Sequence, residues 1–190
     1  TDGSDNGEND GVINPVVTTG GGSINARVLD PSDNPTYALV ALLQQGASPT
    51  DPPVYITGNV ADIATGNVVL YAGNGSFFLE VDPYSVPPGV QAPSRVSLSI
   101  ADDVITFGSG TTTVVEGGVE YAILQMQSAA TEVRGSVLVS GLPVFTNVVV
   151  DDAATGAFIK NTQVDPSTGA YSLLLGDGSY DIVVDPSYLP

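Results

Sequence analysis

The chain writes one hairpin twice. GNGSFFLEVDPYSVP fills residues 73–87, and GDGSYDIVVDPSYLP fills residues 176–190. Gly73 and Gly176 stand 103 positions apart. The same offset carries Asp62 onto Asp165, Thr65-Gly66 onto Thr168-Gly169, Leu70 onto Leu173, and Tyr55-Ile56 onto Phe158-Ile159. Further upstream the register slips by a few residues, as loops of unequal length would cause. INARVLD then faces RGSVLVS, and NPTYALVAL faces LPVFTNVVV. Copies about 100 residues apart are too widely spaced for a short-period solenoid and predict two tandem domains.

Each copy reads as β structure. Asn-Gly and Asp-Gly at the hairpin tips supply the positive φ angles of tight turns. Side chains alternate across a strand, so Phe77, Leu79 and Val81 are expected to share one buried face. Tyr180, Ile182 and Val184 are expected to share the matching one. Further strands are expected at 24–29, 39–44, 54–59, 96–100, 111–115 and 121–127, then at 132–139, 147–151 and 158–164. No segment carries a convincing helical period with caps. YALVALLQQ comes nearest, but its Val and Leu content and its alignment with FTNVVVDD favour a strand. The expected fold is all-β: two tandem Ig-like sandwiches behind an extended N-terminal segment. The expected divisions are an acidic tail with a candidate donor strand at 1–21, a first sandwich at 22–127, a linker at 128–130, and a second, shorter sandwich at 131–190.

Composition removes whole classes of chemistry. Of 190 residues none is Cys and none is His. Disulfides, thiolate metal sites, Cys nucleophiles and Ser–His–Asp sets are thereby excluded. No nucleophile elbow and no glycine-rich phosphate loop occurs. Asp102-Asp103 and Asp151-Asp152 are neighbours in sequence, so on a strand each pair splits across two faces and forms no acid–base dyad. An enzyme is therefore not expected. Twenty-one acids against four bases give a net charge of −17, which repels nucleic acid and anionic membranes. No apolar run is long enough to span a bilayer as a helix. Most acids are Asp, and many of these sit beside Gly, Pro, Asn or Ser, turn positions where the side chain bonds to nearby amides. Two readings follow: a solvated acidic surface, or calcium held by loop carboxylates such as Asp30, Asp33, Asp151 and Asp152. Asn74 lies in an Asn-Gly-Ser sequence, a formal glycosylation site in a hairpin turn.

GSVLV, then LPVFTNVVV, then TGAFIKNTQVDPSTGAYSLLLGDGSYDIVV resembles the carboxypeptidase regulatory-like, or transthyretin-like, family of β-sandwich domains. The likeness covers residues 131–190 well and residues 22–83 more loosely. It implies non-catalytic modules of secreted or surface proteins, used as spacers, stalks and adhesive units. Some collagen-adhesin relatives lock themselves with a Lys–Asn isopeptide bond. This chain departs from that pattern, because its one lysine, Lys160, lies mid-copy rather than in the first strand.

After Asp82-Pro83 the first copy runs on for a further stretch of predicted strands. After Asp185-Pro186 the sequence holds four residues. The second sandwich is thus expected to lack strands that the first has, leaving an open edge. It is a fragment of something longer, a shorter variant, or an acceptor for a strand from another subunit. A donor candidate is VINPVVTT at 12–19, with Val12, Ile13, Pro15, Val16 and Val17 as the assembly residues. The same segment could instead form the first domain's edge strand, where Pro15 is tolerated. As a donor it would place Ile13 and Val17 inward, or Val16 if the register shifts by one. The expected function is an extracellular, cell-surface structural protein, a filament subunit joined head-to-tail to copies of itself by strand donation. The competing expectation is a stalk, or an adhesive or carbohydrate-binding module, with Phe78, Tyr84 and Tyr188 as candidate contact aromatics.

Overall fold

A computed structural model describes residues 21–48 and 51–188. The candidate donor residues Val12, Ile13, Pro15, Val16 and Val17 lie outside the described residues. Those described are all-β, with two single-turn 3-10 segments at Pro83–Ser85 and Pro186–Tyr188. The first half holds β1 (Gly22–Leu29), β2 (Leu39–Gln44), β3 (Val54–Val60), β4 (Asn67–Ala72), β5 (Gly75–Val81), β6 (Val90–Gln91), β7 (Val96–Ala101), β8 (Val104–Phe107), β9 (Thr113–Glu116), β10 (Val119–Gln125) and β11 (Gln127–Ser128). The second holds β12 (Thr131–Ser136), β13 (Leu138–Val139), β14 (Leu142–Pro143), β15 (Asn147–Asp152), β16 (Phe158–Gln163), β17 (Ala170–Leu175) and β18 (Tyr180–Val184).

In the first half two sheets face each other, ordered β4-β1-β10-β9 and β3-β2-β5-β7-β8. One contributes Ile24, Val28, Leu70 and Leu124 to the core, and the other contributes Val40, Leu42, Leu79 and Leu98. The alternating burial of β1 and β5 follows from the pleat: every second side chain points between the sheets. The expected burial of Phe77, Leu79 and Val81 is borne out.

The second half repeats five of these strands with the same pairings. β12 pairs antiparallel with β17 as β1 does with β4. β15 lies between β16 and β18 as β2 lies between β3 and β5. Register bears out one of the two upstream matches and corrects the other. Leu42 faces Leu79 and Val150 faces Ile182, which sets Leu42 against Val150 as NPTYALVAL and LPVFTNVVV align. Ile24 faces Leu70 and Val133 faces Leu173, so β12 is displaced by one residue from the INARVLD–RGSVLVS match. Even an irregularity is copied. The pairing slips between Leu42 and Leu43 and again between Val150 and Asp151, leaving Ile56 and Ile159 as the extra residues.

One turn chemistry recurs three times. In Asp62-Ile-Ala-Thr-Gly66, Asp152-Ala-Ala-Thr-Gly156 and Asp165-Pro-Ser-Thr-Gly169, the Asp carboxylate accepts the amides two and three residues on. Its carbonyl accepts the glycine amide. Gly66, Gly156 and Gly169 take φ of 70°, 64° and 74°, which costs a residue without a Cβ nothing.

One expectation is corrected. Ile182 is 42 % exposed rather than buried, and Tyr180 and Val184 are half-buried. β5 is flanked by β2 and β7, whereas β18 pairs with β15 alone among the described strands. The facing layer differs as well, with β12-β17 where the first half has four strands. The second core is accordingly small: Val150, Ile159, Leu173 and Leu175.

Candidate functional site

The two halves meet at a polar seam. Gln91 is 5 % exposed and lies on β6, which pairs with β11 just before the second half begins. Its Nε2 donates to the Tyr180 hydroxyl at 2.8 Å, and its Oε1 accepts the Gly176 amide at 2.8 Å. The Tyr180 hydroxyl in turn donates to the Gly176 carbonyl at 3.0 Å. Ser94 donates to Asp152 Oδ2 at 2.6 Å, and the Tyr84 ring stacks on Phe158 with centroids 5.5 Å apart. A buried amide bonded at both ends is costly to break, so the seam orients one half against the other.

Beyond the seam, the outer edge of β18 has no partner among the described strands. The amide of Ala153 bonds the Ser179 carbonyl, and the amide of Asp185 bonds the Asn147 carbonyl. In an antiparallel ladder alternate residues point to opposite sides, so the backbone groups of Tyr180, Ile182 and Val184 face away from β15. Ile182 and Val183, on opposite faces of this edge strand, are 42 % and 49 % exposed. Open backbone beside apolar side chains is the feature that strand addition requires.

The four cations are all engaged within the protein. Arg27 grips Glu116 with two hydrogen bonds of 2.9 and 2.7 Å and lies 4.9 Å over the Tyr121 ring. Arg95 pairs with Glu80, and Arg134 pairs with Glu132 at 2.7 Å. Hydrogen bonds from Arg134 and Ser172, with the Arg134 charge, hold Glu132 down at about 2. Lys160 Nζ donates to the Leu174 carbonyl at 2.8 Å, and burial lowers its pKa. The remaining acids therefore set a strongly negative exterior.

The proposed calcium residues fall in two places. Asp30 closes the turn after β1, accepting the amides of Asn34 and Ser32 at 2.9 and 2.8 Å, and bonds from the Asn34 amide and side chain, then from Ser32, hold its pKa low. Asp33 occupies the same turn at φ 65°. Asp151 and Asp152 alternate across β15. Burial and the facing Asp181 raise the pKa of Asp151. Burial works against ionisation of Asp152 too, but bonds from Ser94, Thr155 and Ala154 together keep its pKa low. Among the described residues no three acidic side chains gather to hold an ion. Asn74 is exposed at the β4–β5 tip.

Two features escaped sequence reasoning. The β7–β8 hairpin turns on Asp102-Asp103, at φ 49° and 65°, a pair without the glycine that marks such turns. Gln91 gave no signal, because its importance lies in partners 85 and 89 residues away. No protein-family model, curated protein or solved structure matches the chain. Among the described residues no helix is long and apolar enough to cross a membrane.

Proposed function

We propose that this chain is a non-catalytic structural protein of the cell exterior, built from two tandem Ig-like sandwiches of the carboxypeptidase regulatory-like kind. It acts as a subunit of a surface filament, in which the segment at 12–19 of one copy adds a strand to its neighbour. The observation that carries this reading is the edge of β18, which has no partner among the described strands and is flanked by exposed Ile182 and Val183. The duplicated hairpin supports it: among the described residues β5 has a strand on each side, and β18 has one. The seam at Gln91 supports it too, because a rod transmits load only if its units keep their mutual orientation. Such contacts between unlike surfaces need not close on themselves and propagate as fibres.

Deletion of residues 1–19 is expected to abolish filaments in negative-stain microscopy while leaving the first half folded. Polymerisation of the truncated protein overturns strand donation and leaves the stalk reading in its place. Because every copy carries the same −17 charge, assembly is expected to strengthen as salt rises from low ionic strength.

A further inference from the structure

The first half shows what an occupied edge looks like. In it, the amide of Gln45 bonds the Ser76 carbonyl and the amide of Asp82 bonds the Leu39 carbonyl, so Phe77, Leu79 and Val81 turn their backbone groups toward β7. β7 runs antiparallel there, with Val96 opposite Leu79 and Leu98 opposite Phe77. By the 103-residue offset, Ile182 stands where Leu79 stands, and its backbone groups point to an edge with no described strand.

Proline decides the register of any strand laid in that place. A residue opposite Tyr180, Ile182 or Val184 must give its amide to β18, and Pro15 has none. Pro15 therefore falls opposite an intervening residue, with its nitrogen turned away from the ladder. That fixes the parity of the whole segment, and Asn14, Val16 and Thr18 turn inward. With Val16 opposite Ile182, Pro15 falls opposite Val183 and Val17 opposite Asp181. The two exposed aliphatic residues of the edge, Ile182 and Val183, one on each face, then gain an apolar neighbour. A segment with apolar residues of both parities suits an edge that is apolar on both faces.

The chain's own segment cannot reach. Tyr180 faces Asp152, which bonds Ser94 near the Val81 end of β5. Gly22 lies at the opposite end, paired with Ala72 beside the β4–β5 tip. Six residues of β5 separate those levels by about 20 Å, and β1 and β5 belong to facing sheets about 10 Å apart. Thr18, the residue opposite Tyr180, is four residues from Gly22 and extends at most about 14 Å. Residues 12–19 laid there in this register therefore belong to a second copy.

We propose that the free edge of β18 is an acceptor site for residues 12–19 of a second copy, bound antiparallel in the place β7 holds on β5, with Val16 opposite Ile182 and Pro15 outside the ladder. The inference rests on the filament reading and adds the site, direction and register.

The absence of cysteine gives a clean test. Facing residues of a hydrogen-bonded antiparallel pair lie about 5.5 Å apart, within disulfide range. Full-length protein carrying Val16→Cys and Ile182→Cys should form a covalent ladder of multimers on mild oxidation. Protein carrying Val17→Cys and Ile182→Cys should form several-fold less. A link closed within one chain, or a stronger ladder from the Val17 variant, overturns the proposal. So does the absence of any ladder. Filaments that persist without a ladder overturn this register and leave the filament reading standing. Loss of both with wild-type protein, seen as monomers at all concentrations, removes the two together.

Discussion

Leu79 and Ile182 occupy the same place in two copies of one hairpin, yet the first is sealed and the second is 42 % exposed. Their local sequences are alike, as are their turns, and each faces a buried residue across its inner neighbour, Leu42 or Val150. The difference comes from neighbours encoded far away. β7 covers one side of β5, and β10 and β9 widen the facing sheet. Burial is thus a property of the surroundings that a hairpin finds, and a repeat of sequence is not a repeat of environment.

The contrast can be broken most sharply by truncating both residues. Leu79→Ala is expected to cost about 2–5 kcal/mol in denaturant unfolding. Ile182→Ala is expected to cost about 1 kcal/mol in the isolated subunit, because less apolar surface returns to water. Equal losses at the two sites would mean that the edge of β18 is already covered in the monomer.

The seam offers a smaller effect of another kind. Gln91→Ala leaves the Gly176 amide without its acceptor, at an expected cost of about 1–3 kcal/mol. In calorimetry the variant should melt in two resolved steps, the second half first, since its core is the smaller. A single unchanged transition would show that the halves couple through other contacts.

Gly66→Ala and Gly169→Ala compare the shared turns. An added Cβ would lie 2.3 Å from the Val28 carbonyl oxygen in the first and 2.7 Å from the Val137 carbonyl oxygen in the second. The left-handed φ alone costs about 1–2 kcal/mol. Both variants should therefore lose stability, Gly66→Ala the more, because it meets the closer oxygen in the tighter half.

The smallest expected effect is on pH dependence. Hydrogen bonds from Thr65 and Ala64 lower the pKa of Asp62, and those from Ser167 and Thr168 lower that of Asp165. A carboxylate whose folded pKa is depressed stabilises the fold above its unfolded value, about 3.9, and loses that stabilisation as pH falls through the folded value. The melting temperature should fall below about pH 4, and less steeply in Asp62→Asn and Asp165→Asn than in the wild type. An unchanged slope would assign acid sensitivity to other carboxylates.

Much of the fold was legible because it is written in local terms. β2 is legible to both of its ends, Leu39 and Gln44, and the other long strands to within a few residues, since alternation and turn residues are short-range signals. The β7–β8 hairpin was only half read, because Asp102 and Asp103 adopt positive φ without a glycine to announce it. The third copy of the Asp-x-x-Thr-Gly turn, at 152–156, also passed unread, because it lies outside the 103-residue register.

The candidate site divides in the same way. Sequence by itself determined that the described residues are all-β, that a hairpin and its turns repeat, and that the chain has no thiol or imidazole chemistry. Each of these rests on residue identity and spacing along the chain. Only the tertiary structure decided that Ile182 is exposed, which backbone groups of β18 face outward, and that Gln91 ties the halves together. Those depend on which strands lie side by side, and pairing between residues 85 or more positions apart leaves no periodic trace in the sequence.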